Sequence, residues 1–124
     1  MRDFRRLVAW QRAHGLAVRM CRIVGNSDAY MHRRLLDQIE GAAVSLPANI
    51  AEAWGRSTNP DRARFLDYAA GSASELEALV LIARDVGLIR SLDADGICDE
   101  IQQIRRMVAA LIRALREGRS SAES

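Results

Sequence analysis

The sequence predicts an all-α protein with the architecture of an up-and-down antiparallel four-helix bundle. Aromatic residues make up only 5% of the 124 residues and there are two prolines, a composition that favours helices over a β-sandwich. Apolar residues recur at alternating spacings of three and four in four separate segments, each of about 20 residues. Short turns separate these segments, so consecutive helices are expected to pack antiparallel.

The first two helices are predicted from apolar stripes that end in glycine-containing turns. The first ends before Gly25-Asn26-Ser27-Asp28, and the second ends at Gly55, which is interpreted as a C-terminal glycine. Pro47 falls inside the second helix, so we expect a kink at residues 43–47. The first stripe comprises Leu7, Trp10, His14, Ala17, Cys21 and Val24. The second comprises Leu36, Ile39, Ala43, Leu46, Ile50 and Ala53.

The third and fourth helices complete the bundle. Asn59 is predicted to cap the third helix, with Pro60 as its first helical residue, because a residue before proline avoids the helical region. Gly87 is predicted to stop this helix, and the fourth begins within SLDADG, residues 91–96, whose acids suit a helix N-terminus. The third stripe comprises Leu66, Ala69, Ala73, Leu76, Val80 and Ala83, with a second apolar edge at Phe65, Leu79 and Ile82. The fourth comprises Ile97, Ile101, Ile104, Val108, Leu111 and Leu115.

These helices are predicted to form one domain over residues 1–117, followed by a disordered tail over residues 118–124. No apolar run has the length needed to cross a bilayer, and charge interrupts the apolar positions of the N-terminal segment, so we expect neither a membrane span nor a signal peptide. Cys21 and Cys98 each fall within or beside a helical stripe and are interpreted as reduced, buried thiols. The sequence therefore predicts a cytoplasmic protein.

Groups that support catalysis or metal binding are sparse. No Glu-x-x-His pair of a di-iron site occurs, and neither His14 nor His32 has a second histidine or a Cys-x-x-Cys at ligand spacing. We interpret His14 as a hydrogen-bonded core residue and His32 as a solvated loop residue. No convincing nucleophile–base set or glycine-rich phosphate loop is present. We therefore expect no enzymatic activity, no cofactor and no metal.

The basic residues, all 18 of them arginine, are unevenly distributed although the net charge is only +2. Residues 1–34 hold eight arginines against two acids (+6), residues 75–100 hold two against seven acids (−5), and residues 105–119 hold five against one acid (+4). Arginine suits phosphate, so these faces predict nucleic-acid contacts, with codon bias as the alternative explanation. The predicted contact residues are Arg5, Arg12, Arg19, Arg22, Arg106, Arg113 and Arg116.

A polar stripe on the second helix consists of Ser45, Asn49, Glu52 and Arg56, at spacings of four, three and four. Its neighbours are almost all small, which favours an interface over a plain solvent face. We therefore expect Asn49 and Glu52 to be hydrogen-bonded and at least partly buried. Two acids of the third helix are the candidate acceptors for arginines: Glu75 and Glu77.

One run of the second helix, S-x-P-x-N-I-A-E-x-x-G-R, resembles the signature of a bacterial family encoded in intervening sequences of 23S ribosomal RNA genes. It comprises Ser45, Pro47, Asn49, Ile50, Ala51, Glu52, Gly55 and Arg56. The segments FRRLVAWQRAHGLA and FLDYAAGSASELEALVLIARDVGLI are similar to the same family, so the likeness covers residues 4–115. Glu40-Gly41 stands where the family tends to carry arginine, and Ala53 where it usually has glycine. The first departure weakens the expectation of a nucleic-acid contact near residue 40.

The resemblance implies a bundle that assembles as a ring-like homopentamer with a basic surface. It also implies a fold similar to the accessory variability determinants of diversity-generating retroelements, which bind RNA and a reverse transcriptase. Our first hypothesis is a non-enzymatic homo-oligomeric module that binds nucleic acid, structured RNA in particular, by phosphate and shape contacts. The second is a protein-interaction scaffold, such as an accessory subunit that docks a reverse transcriptase. Self-association has separate support, because residues 78–83, ALVLIA, show more apolar surface than one helix seam buries.

Overall fold

The computed structural model describes residues 3–28 and 30–118, and every regular element within these ranges is helical. Four long helices follow one another: α1 (Val8–Gly25), α2 (Arg33–Gly55), α3 (Asn59–Asp85) and α4 (Ser91–Arg116). Short 3-10 turns at Phe4–Arg6 and Tyr30–His32 precede α1 and α2. The predicted all-α class is confirmed. The predicted disordered tail lies, apart from Gly118, outside the described residues.

Each helix packs against two neighbours, as expected for consecutive antiparallel helices. Helix α1 packs directly against α2 and α4, and α3 against α2 and α4, whereas the backbones of the diagonal helices come no closer than 8 Å between Cα atoms in the described residues. The contact between α2 and α3 is the most extensive of the four seams, and that between α1 and α4 is the least extensive. This cyclic order is that of a four-helix bundle.

The core of the bundle follows the predicted stripes of α2, α3 and α4. Every member of those three stripes is buried, and residues such as Leu46, Leu66 and Ile104 have no exposed surface. On the second apolar edge of α3, Leu79 is buried and Phe65 is half-buried, whereas Ile82 keeps 49% of its surface exposed. Ile82 therefore remains available for contacts outside the bundle.

The predicted stripe of α1 is only partly confirmed: Leu7, Ala17 and Val24 are buried, whereas Trp10 and Cys21 are half-buried and His14 is exposed. The buried residues of α1 are Ala9, Ala13, Leu16, Ala17, Met20 and Val24. His14 is exposed and stacks on Trp10 with ring centroids 4.7 Å apart, so its interpretation as a core histidine was wrong. The buried face therefore overlaps the predicted one, and it adds Ala9, Ala13, Leu16 and Met20.

The ends of α3 show how local chemistry sets helix boundaries. The N-cap is Thr58 and not Asn59 as predicted, because the Thr58 hydroxyl accepts a hydrogen bond from the backbone N–H of Asp61 at 3.3 Å. At the other end Gly87 has φ +83°, a conformation that favours glycine. The N–H of Gly87 bonds the carbonyl of Arg84 at 3.1 Å, and the N–H of Leu88 bonds that of Ala83 at 2.8 Å, which closes a Schellman motif.

Helix α2 continues through Pro47, which is buried in its interior. The bend expected at residues 43–47 stays a prediction. None of the described helices is long and apolar enough to cross a membrane.

Candidate nucleic-acid interface and signature motif

The signature run of α2 lies along the seam with α3 and joins the two helices through polar side chains. The hydroxyl oxygens of Ser45 and Ser72 are 2.8 Å apart, which is a hydrogen bond between the helices. Asn49 donates from Nδ2 to the carbonyl oxygen of Ser45 at 2.9 Å and to its hydroxyl oxygen at 3.0 Å. All three residues are half-buried. Asn49 is thus hydrogen-bonded and partly buried, as expected.

The Asn49 amide acts in the helical turn that contains the proline. Pro47 has no N–H, so the helix lacks the bond that this residue would donate to the carbonyl of Ala43. The bond from Asn49 to the Ser45 carbonyl adds a side-chain donor within the same turn. This bond adds a contact beside the interrupted backbone ladder, but it does not replace the missing bond to the Ala43 carbonyl.

The expectation for Glu52 was wrong. Glu52 is exposed, makes no hydrogen bond within the described residues, and approaches Arg56 only to 3.9 Å. The reason is that Asp61, on the first turn of α3, accepts a bond from Arg56 Nε at 3.0 Å and so provides the closer carboxylate. The predicted end of α2 at Gly55 is confirmed, although Gly55 does not adopt the positive φ common at such positions.

Arg56, Asp61, Arg64 and Phe65 form a compact cluster at the corner between α2 and α3. Both guanidinium groups lie 4.8 Å from the centroid of the Phe65 ring, which is within cation–π range. Asp61 accepts hydrogen bonds from both arginines. The pKa of Asp61 is lowered, chiefly by the Arg64 bond and then by the Arg56 bond. This corner fixes where α3 starts relative to the end of α2.

The two acids predicted to meet arginines differ from each other. Glu77 accepts hydrogen bonds from Arg105 at 3.2 Å and from Gln102 at 2.9 Å, which joins α3 to α4. Glu75 is exposed and has no partner among the described residues.

Three of the seven predicted contact arginines are ion-paired. Arg5 forms a bidentate pair with Asp3, with its closest N–O distance 2.8 Å. Arg12 binds Glu100 and Gln103 and is the polar link between α1 and α4. Arg116 reaches Asp67 on α3 at 3.4 Å. These three guanidinium groups already have partners within the bundle.

The other four predicted arginines are exposed and have no ion-pair partner among the described residues. They are Arg19, Arg22, Arg106 and Arg113. Arg106 and Arg113 are seven residues apart on α4, so they share one face of that helix. Arg6 and Arg34 are also exposed and without an ion-pair partner among the described residues. The sequence did not single them out, because nothing in their spacing distinguishes them from paired arginines.

The described residues contain no group of three or more side chains able to hold a metal ion. Cys98 is buried and Cys21 is half-buried, and both thiols are free. Burial raises the pKa of each thiol, which disfavours the reactive thiolate.

Comparison with known proteins agrees with the motif. Residues 5–110 match the family described as 23S rRNA-intervening sequence protein. A solved structure from Bacteroides thetaiotaomicron, a protein with unknown function from the S23 ribosomal protein family, is 21% identical and superposes with a TM-score of 0.77. The similarity covers 85% of this chain and 98% of that one, and at this identity it shows the fold alone. No curated protein matches the chain in sequence. The chain belongs to the 23S rRNA-intervening sequence protein family.

Proposed function

We propose that this protein is a non-enzymatic, homo-oligomeric module of the cytoplasm that binds structured RNA through exposed arginines. The observation that carries the proposal is the availability of the guanidinium groups of Arg106 and Arg113. Both are exposed on one face of α4, and neither has an ion-pair partner among the described residues. A guanidinium without an internal partner can bind a phosphate without first breaking an ion pair.

Arg19 and Arg22 add two further free guanidinium groups, at the opposite end of the bundle. Fewer arginines are therefore available for RNA than the sequence predicted, since Arg5, Arg12 and Arg116 are ion-paired with carboxylates of the bundle. A few free arginines per chain support only weak binding to phosphates. Assembly into a ring, for which the family resemblance suggests five copies, repeats the set and provides multivalent contact.

The experiment is a salt series with the full-length protein and a structured RNA of defined fold. We expect the logarithm of the association constant to fall linearly with the logarithm of salt concentration, because arginines displace counterions from phosphates. Replacement of both Arg106 and Arg113 by Gln should make this negative slope shallower, by about 1 for each arginine removed. The matched control is Arg5→Gln, which removes an arginine that is already ion-paired. Absence of binding at low salt, or an affinity that ignores salt, would refute the proposal.

A second candidate function is a protein-interaction scaffold that docks a protein such as a reverse transcriptase. The observation that favours it is the exposure of large apolar side chains, with Tyr30 at 87%, Met31 at 91% and Leu92 at 83%. Large exposed apolar side chains that lie together mark interaction sites, and Tyr30 and Met31 are consecutive in the chain. Co-purification of the partner that survives nuclease treatment would favour this function over RNA binding.

A further inference from the structure

A groove between α1 and α2 opens on the surface beside the signature run. Its apolar walls include Val18 and Cys21 of α1 and Val44 and Pro47 of α2, and its volume is about 430 Å³. Val44 keeps 48% of its surface exposed, and Val18 and Cys21 are half-buried. The groove is thus an accessible apolar concavity on the outside of the bundle.

A free positive charge lies at the edge of this groove. Arg22 contributes to its lining and makes no ion pair within the described part of the chain. The charge of Glu40 acts on the Cys21 thiol nearby, yet Glu40 forms no ion pair with Arg22. The groove therefore combines apolar walls with an available guanidinium.

Helix α3 carries a stripe that combines apolar side chains with a negative charge. Glu75 and Ile82 are seven residues apart, so they lie on one face of α3, and Val86, the residue that caps the helix, follows four positions after Ile82. Ile82 is 49% exposed and Val86 is 47% exposed. Glu75 is exposed and lacks a partner among the described residues. The α3 stripe, defined by these three residues, therefore combines apolar side chains with an available carboxylate.

The two surfaces also match in length. A helix rises about 1.5 Å per residue, so the groove runs about 12 Å along α1 from His14 to Arg22, both of which line it. Glu75 and Ile82 are about 10 Å apart along α3 by the same measure. When Glu75 faces Arg22, Ile82 falls within the length of the groove.

We propose that the α3 stripe of one copy docks into the α1–α2 groove of a second copy, with Glu75 paired to Arg22 and Ile82 against the apolar walls. The proposal rests on the self-association in the proposed function and assigns it a surface. Since the two surfaces differ, the contact is head-to-tail, and its repetition closes a ring or extends a filament. Arg22 is occupied in this contact, which leaves Arg19, Arg106 and Arg113 for RNA.

The test is charge reversal in the full-length protein, with mass measured by analytical ultracentrifugation across a concentration series. Glu75→Arg and Arg22→Glu should each weaken assembly about tenfold or more, because each places like charges together at the contact. The double variant Arg22→Glu/Glu75→Arg should restore assembly. Asp99→Arg and Arg34→Glu are matched controls, since both residues are exposed and without an ion-pair partner among the described residues. Neither control should change the mass.

Alkylation of Cys21 gives a second readout, with buried Cys98 as the internal reference. We expect the alkylation rate at Cys21 to fall as the concentration of the wild type rises. In either single variant the rate should stay at the value of the dilute wild type. An assembled wild type whose mass and Cys21 protection survive both reversals would overturn the docking assignment and leave self-association standing. A wild type that stays monomeric at micromolar concentration would overturn self-association itself, and the docking with it.

Discussion

Along the α2–α3 seam, polar side chains bond to one another across two helices, whereas on the outer face of α4 the arginines have no partner among the described residues. Ser45 bonds Ser72, and Asn49 bonds the Ser45 carbonyl within α2. Arg106 and Arg113 are exposed and unpaired within that part of the chain. The signature side chains Ser45 and Asn49 thus bond within the bundle, whereas the arginines that we propose for RNA binding lie on a different helix.

The packing of the bundle gives the largest expected effect. Leu66→Ala empties a site with no exposed surface, so the free energy of unfolding should fall by about 2–5 kcal/mol. Met107→Ala, at a half-buried position on α4, should cost about 1 kcal/mol because less apolar surface is lost. Chemical denaturation of both variants measures the difference. Equal losses would show that partial exposure of Met107 does not lessen its contribution.

The hydroxyl contact between the helices should have the next largest effect. Ser45→Ala and Ser72→Ala should each lower the free energy of unfolding by about 1 kcal/mol, since each removes the hydrogen bond between the helices, and Ser45→Ala also removes an acceptor of Asn49. Their double variant should lose less than the sum of the two, because they break the same bond. Ser74→Ala, at an exposed position of α3, is the control. Strict additivity would argue against a hydrogen bond between Ser45 and Ser72.

The ion pair between α1 and α4 should matter less than the serine contact. Arg12 and Glu100 keep about a third of their side-chain surface exposed, so solvent weakens their attraction. Arg12→Gln should lower the free energy of unfolding by about 0.5 kcal/mol at low salt and by less at high salt. Denaturation at two salt concentrations measures this. A loss that does not change with salt would contradict an electrostatic origin.

The smallest effect concerns the titration of Asp61 at the α2–α3 corner. Its folded-state pKa is lowered, first by the Arg64 bond. The stabilisation is therefore present above the unfolded pKa and is lost as pH falls through the folded pKa. In Arg64→Gln the pKa of Asp61 should rise towards its ordinary value, as followed by carboxyl NMR titration. Arg90→Gln, which alters a different arginine–aspartate pair, should leave Asp61 unchanged.

The sequence predicted the fold far better than the state of individual charges. Periodicity located the buried stripes of α2, α3 and α4 because large aliphatic residues mark one face of each helix. In α1 it located Leu7, Ala17 and Val24, but it missed the buried Ala9 and Ala13 and included His14, which is exposed. Small residues give a weak periodic signal even when they determine how closely helices pack.

The sequence could not predict which arginines form ion pairs, and the physical reason is different. Arg12 and Arg19 occupy the same register of α1, yet Arg12 meets Glu100 and Gln103 of α4 and Arg19 meets no carboxylate among the described residues. The partners lie 88 and 91 residues away, so spacing within one helix carries no information about them. Arg56 is a second example, because its closer carboxylate belongs to Asp61 on the next helix and not to Glu52 on its own helix.

The most direct test of the account measures stability and RNA affinity together in two variants. Asn49→Ala should lower the melting temperature while RNA affinity at temperatures where the variant is folded stays unchanged. Arg106→Gln/Arg113→Gln should weaken RNA binding at low salt while the melting temperature stays unchanged. This opposite pattern is expected if Asn49 stabilises the bundle and the two arginines bind RNA. If Asn49→Ala abolished RNA binding without loss of stability, or the arginine variant bound RNA as the wild type does, the division between architectural motif and binding surface would be wrong.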